Sequence, residues 1–284
     1  RFSDAGIGDP QIEFTGGVTA IDIMTLNRAA GAAVTEQGFD MQLPTVANIV
    51  IPPVFDDLCV IEIDGLRIKA TIDTHKMSWC LHEGDVYRGD FTDYSGVERY
   101  GVSINRRDVW QLDDIVITDV PTKLPDGRNL RMWFAEVPLE RLAKLGYYGL
   151  YKLAFFCMEN SHRVGRFSWV TVPAQQIKWE RHMDELLPVN NDIEDVIQRA
   201  WMALDETGVR VKAETEMLRR GIPDFSRMKS HVFGAKHPVV MWLTEPESTI
   251  PFAVIATISE AWLNADTEVS FGEDAFAPIQ TAEQ

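Results

Sequence analysis

Apolar and polar positions alternate most clearly between residues 46 and 175, with the two-residue period of a strand. Residues 58–63 and 66–72 are two such runs separated by Asp64-Gly65, a pair that supplies the positive φ angles of a two-residue turn, and together they predict a hairpin. Further strands are predicted over 97–104, 115–120, 130–137, 151–157 and 166–172. Turn sequences such as Pro125-Asp126-Gly127 and Glu159-Asn160-Ser161 divide them. A short helix is predicted over 138–145, with Pro138 in its first turn, Leu139, Leu142 and Leu145 on one side and Gly146 at its stop.

Beyond Pro173 the period changes to that of a helix. Ile193, Val196, Ile197, Ala200, Trp201 and Leu204 recur at offsets of three and four, Asn191 or Asp192 can cap the start, and Gly208 ends the run, so a helix is predicted over 191–205. A second helix over 211–220 ends at Gly221, and its last turn carries Arg219 and Arg220, where the helix dipole favours positive charge. Strand character returns over 239–243 and 252–258. The first 45 residues are rich in Gly, Ala and Thr and only weakly amphipathic over 19–33, which predicts an extended arm tied down by little of its own.

The expected fold class is therefore α+β, with a β-rich sheet or sandwich body, a helical insertion at about 179–222 and an extended N-terminal arm. The expected organisation is an arm over 1–45, a β-rich body over 46–175, a helical and basic segment over 176–236, and returning strands with an acidic tail over 237–284. Residues 46–284 are expected to form one domain.

The chain has 284 residues, 45% of them hydrophobic and 10% aromatic, enough to bury a large core. Its apolar runs are too short to span a bilayer, and residues 1–10 hold no apolar leader segment, so the expectation is a soluble protein, in a virion or the cytoplasm. Cys59, Cys80 and Cys157 are odd in number and set among apolar neighbours, which predicts buried free thiols rather than a disulfide framework.

The net charge of −16 is unevenly spread. Residues 1–66 hold two basic and ten acidic side chains, and 237–284 hold eight acidic and no Lys or Arg. Within the neutral middle, Arg219, Arg220, Arg227, Lys229 and Lys236 form a locally basic stretch against the single Asp224. Acidic ends and a basic interior suggest pairing within the chain or between copies, so these five residues are the expected partner-binding set.

No phosphate-loop, dinucleotide or hydrolase-elbow pattern occurs, so no cofactor, metal or small-molecule substrate is expected. The densest group of potential ligands is Asp73, His75, Cys80, His82, Glu83 and Asp85, of which Asp73, His75, His82, Glu83 and Asp85 are the candidates for an acid–base or metal site. His82-Glu83 opens a H-E-x-x-H pattern whose second histidine is missing. Exposed tryptophans would make a saccharide platform, but the eight here lie mostly within apolar patterns and are assigned to core packing. The expected function is a non-enzymatic, self-associating structural subunit of a larger assembly, such as a viral particle, with other copies or other subunits as partners. The alternatives are an enzyme centred on residues 73–85 and a polyanion or nucleic-acid binding module at the basic stretch, the latter disfavoured by the overall negative field.

Overall fold

The computed structural model describes residues 9–37, 50–64, 67–182, 197–211 and 229–276. In chain order its elements are β1 (Val18–Ile21), α1 (Ile23–Gln37), α2 (Pro53–Asp57), β2 (Cys59–Asp64), β3 (Arg67–Ile72), β4 (Ser78–Trp79), β5 (Val86–Arg88), β6 (Phe91–Thr92), β7 (Glu98–Arg99) and β8 (Gly101–Leu112). There follow β9 (Ile115–Lys123), β10 (Asn129–Glu136), α3 (Leu139–Leu142), α4 (Tyr147–Asn160), β11 (His162–Pro173), β12 (Gln175–His182), β13 (Ile197–Asp205), β14 (Gly208–Arg210), β15 (Ser230–Val232), β16 (Val239–Thr244) and β17 (Phe252–Thr257). The β-rich α+β body is present. Its main sheet runs β1-β17-β16-β10-β9-β8-β11-β15, antiparallel except for the β11–β15 pair.

Alternation along β10 shows how the sheet is buried. Leu130, Met132 and Phe134 point into the core, while Arg131 and Trp133 lie on the opposite, half-open face. On that second face Trp242 of β16 stands directly across from Trp133 and is covered by α4, whose Met158 Sδ accepts its indole N–H at 3.3 Å. Beyond Trp133 on this face Arg131 and Trp110 are partly exposed, whereas Asp119 and Ile117 are buried.

Three elements differ from the sequence expectation. The arm is not extended over 18–37: β1 pairs with β17, and Ile21, Ile23 and Met24 are fully buried, each contributing roughly 1.5–3 kcal/mol of burial. Asp22 caps α1 through the Met24 and Thr25 amides at 3.1 and 3.0 Å, a device hidden in a Gly- and Ala-rich segment. Gly17 is obligatory before β1, since its φ is +76° and a Cβ would lie 2.7 Å from the Ala261 nitrogen.

Residues 151–157 are helical, within α4, rather than a strand. Tyr147, Leu150, Tyr151, Ala154 and Cys157 share a buried face at helical spacing, and Asp9 caps the N-terminus from far away in sequence, accepting the Tyr148 and Gly149 amides at 2.9 and 3.1 Å. Residues 197–205, in turn, form a strand where a helix is predicted, so the helical insertion at 179–222 is not found in its described part. β13 pairs along its length with β12 and turns into β14 through an Asp205 carboxylate that accepts the Thr207 and Gly208 amides at 2.6 and 3.2 Å. Residues 191–196 and the predicted second helix, apart from Val211, lie outside the described residues.

Candidate ligand-binding site

The main sheet forks at β8. The Val109–Leu112 end of this strand pairs with β9, while Val102, Ser103 and Ile104 pair with β5, so Asn105 to Asp108 have no strand partner on that side. On its other edge β8 is paired with β11 almost throughout. The chain crosses the fork between β4 and β5: the Cys80 amide donates to the Pro121 carbonyl on β9 at 2.8 Å, and the Asp85 carbonyl accepts the Asn105 amide on β8 at 2.8 Å. The segment singled out by its ligand density is thus the chain that spans the fork in the sheet.

The residues expected to act there do not converge. His75 sits before β4, its side chain 62% exposed and its amide held by Asp73 at 2.9 Å. His82 and Glu83 are exposed on the crossing loop, where the His82 carbonyl accepts the Asp85 amide at 3.0 Å. Among the described residues no three His, Cys, Asp or Glu side chains are placed to hold a metal ion. Cys80 is exposed, contrary to the expected burial, whereas Cys157 is buried and its thiol is pushed up to about 12 by desolvation.

On the same face beside the fork, two tryptophans assigned to the core are only partly buried. Trp110 of β8 and Trp133 of β10 rest one side on the core and have ring centroids 5.9 Å apart at 51°. Trp133 in turn runs parallel to Trp242 at 6.1 Å and 2°, and its indole N–H donates to Thr244 Oγ1 at 3.0 Å, which fixes the ring. Directly across from Trp133 on β9 is Asp119, buried and bonded to Arg131 at 2.5 Å. Burial holds the Asp119 carboxyl above its usual range, with Arg131 opposing that shift. Arg107, at the unpaired stretch of β8, is the next charge along; desolvation pulls its guanidinium below its usual range, with Asp119 counteracting. The platform was legible in principle, because Arg131, Trp133 and Asp119 fall on one parity of strands whose other parity carries Leu130, Met132, Phe134 and Val120.

In the described part of the basic stretch the backbone is tied into the fold. Glu136, 2% exposed, accepts the Gly234, Lys236 and His237 amides at 3.1, 3.1 and 3.3 Å on one oxygen and faces His231 Nε2 at 3.0 Å with the other. The Lys229 carbonyl accepts the Ser168 amide at 2.8 Å. Arg219, Arg220 and Arg227 lie outside the described residues. Acidic side chains near the start also find partners inside the chain: Asp56 with Arg28, Asp57 with Arg128 at 2.7 Å, and Glu13 with Arg181 at 3.2 Å.

No protein-family model and no curated protein matches this sequence. Among solved structures the chain is similar to serpins. The thermophilic serpin tengpin in its native state is 11% identical with a TM-score of 0.39, over 70% of this chain and 58% of that one. An Arabidopsis serpin, AtSerpin1, in its native stressed conformation gives 11% and 0.40, over 68% and 57%. Serpin-12, a serine protease inhibitor of Manduca sexta, gives 13% and 0.40, over 66% and 55%. The chain thus spans less than two thirds of the length of these structures, and at such identity and TM-score the likeness assigns it neither a family nor an activity. The expectation of a self-associating assembly or virion subunit finds no support among these matches, which bear the names of protease inhibitors, and is withdrawn. The partners that charge segregation seemed to require are in part supplied by the chain itself. No helix among the described residues is long and apolar enough to cross a membrane.

Proposed function

We propose that this chain is a saccharide-binding protein whose site is the Trp110–Trp133 platform beside the fork in the sheet. The observation that carries the reading is a pair of partly buried indoles on central strands, 5.9 Å apart, with the Asp119–Arg131 pair set between β9 and β10 at their edge. The apolar face of a pyranose ring carries axial C–H groups that pack on an indole, while its equatorial hydroxyls need acceptors and donors around the rim. Arg131, its side chain partly exposed, supplies donors and is already oriented by the buried Asp119, so little side-chain entropy is lost on binding. The flat sheet keeps the two rings at fixed spacing, which a loop-borne site would not.

The test is a glycan array of gluco-, galacto- and manno-oligosaccharides together with oligogalacturonate, probed with the whole chain and with Trp110→Ala. The wild type is expected to retain a subset of these glycans. Trp110→Ala should weaken that retention at least tenfold, about 1.4 kcal/mol, while losing only about 1–2 kcal/mol of stability, as suits a half-buried side chain. An array that retains no glycan, or equal retention by the variant, would overturn the reading.

A further inference from the structure

Elsewhere on the molecule described arginine side chains hold a carboxylate, from Arg28 with Asp56 to Arg199 with Glu180, and the buried Arg210 donates to the Phe271 carbonyl. The exceptions cluster. Arg106, Arg107 and Arg166 carry no ion pair among the described residues, in a chain with 43 Asp and Glu against 27 Lys and Arg. Arg107 Nε donates to the Asn105 carbonyl at 3.1 Å and Arg166 Nε to the Arg106 carbonyl at 3.3 Å, so both guanidiniums are aimed by the backbone through Nε while their terminal nitrogens meet no described acceptor.

The place of this cluster is the unpaired stretch of β8. Arg106 adopts a left-handed φ of 54°, a strained conformation for a non-glycine residue. It kinks the strand where the sheet forks. Asp119 and Asp108, the carboxylates near Arg107, are already taken by Arg131 and by Arg163 at 2.5 Å each, and Asp85 is the remaining acid in its field. Arg166 brings a second positive charge beside it. A half-buried guanidinium without a direct counter-ion is unfavourable in the free protein and is relieved by an anion that its planar fork can grip in bidentate fashion.

We infer that the saccharide taken by this site carries an anionic oxo group, carboxylate or sulfate, received by Arg107 with Arg166 beside it. This rests on the saccharide reading above. Arg107 lies within the field of Asp119, which stands across from Trp133 on the platform, so a sugar packed on the indoles and reaching past Asp119 places a substituent of its neighbour at the guanidiniums.

The experiment is calorimetric titration of the whole chain at low salt with trigalacturonate, with its full methyl ester and with a sulfated galactotriose. The free acid is expected to bind at least tenfold more tightly than the ester, and Arg107→Gln to bring the two affinities together. A sulfated sugar that exceeds both supports the inference and identifies sulfate as the group received. Equal affinities for acid and ester in the wild type, or no binding of any of the three by a chain that retains other glycans on the array, would overturn the inference while leaving the saccharide reading intact; no binding here together with an array that retains no glycan would overturn both. If Arg107→Gln does not fold, the exposed Arg166→Gln is measured instead, with loss of at least half of the acid preference expected in free-energy terms; an unchanged preference in a folded variant of either residue contradicts the assignment.

Discussion

Trp242→Ala is expected to lower the unfolding free energy by about 3–5 kcal/mol, the range for emptying a buried aromatic site. Trp242 is 1% exposed, lies between Trp133 on the neighbouring strand and Met158 of α4, and its N–H is satisfied by a sulfur that nothing else would reach. Truncation leaves a cavity at the junction of sheet and helix, and α4 cannot follow inward because Asp9 fixes its N-terminus. Urea denaturation followed by circular dichroism measures the loss. Trp242→Phe, which keeps most of the volume, should cost no more than about half as much. Because the same side chain backs Trp133, the alanine variant should also lose glycan binding under conditions where it is still folded. A cost below about 1 kcal/mol would show that α4 does not cover this face as described.

Glu136→Ala carries the second large effect. The carboxylate is the shared acceptor for three backbone amides and a histidine, and removing it strands those donors in a buried site at about 3 kcal/mol or more. Burial alone would raise the Glu136 pKa; the His231 hydrogen bond and charge, with the Lys236 and His237 amides, outweigh it and hold the carboxyl below its ordinary 4.5. A depressed folded pKa means that the stabilisation is fully present above about pH 4.5 and is lost as pH falls through the folded value. The wild type should therefore lose stability on acidification below that point, and Glu136→Ala should show a shallower slope over the same window. Chemical denaturation at pH 7 and across pH 3–5 checks both; parallel wild-type and variant slopes would contradict the assignment.

The hairpin was legible because its determinants are local: alternating runs and a turn pair fix the register in which Cys59 faces Ile72. The central strands β9 and β10 were legible for the same reason. Tyr147–Asn160 was not, because its Tyr- and Phe-rich composition favours a strand, and the residue that starts the helix, Asp9, is distant in sequence. For β13 the spacing of Ile197, Ala200, Trp201 and Leu204 satisfies a helix equally well, and the deciding partner is the edge of β12. The segment 73–85 drew attention for its histidines, yet its contribution is positional: it spans the fork, and the side chains gathered there come from β8, β9 and β10. No spacing along the chain relates Arg107 to Asp119 or Trp133, since that proximity exists only once the strands pair.

The most direct measurement is a nitrogen–proton correlation spectrum of the indole N–H groups during titration with trigalacturonate. The account predicts that the Trp110 and Trp133 resonances shift progressively and saturate, while those of the buried Trp179 and Trp262 stay in place. Stationary Trp110 and Trp133 resonances, or shifts confined to other tryptophans, would contradict a saccharide site on this platform.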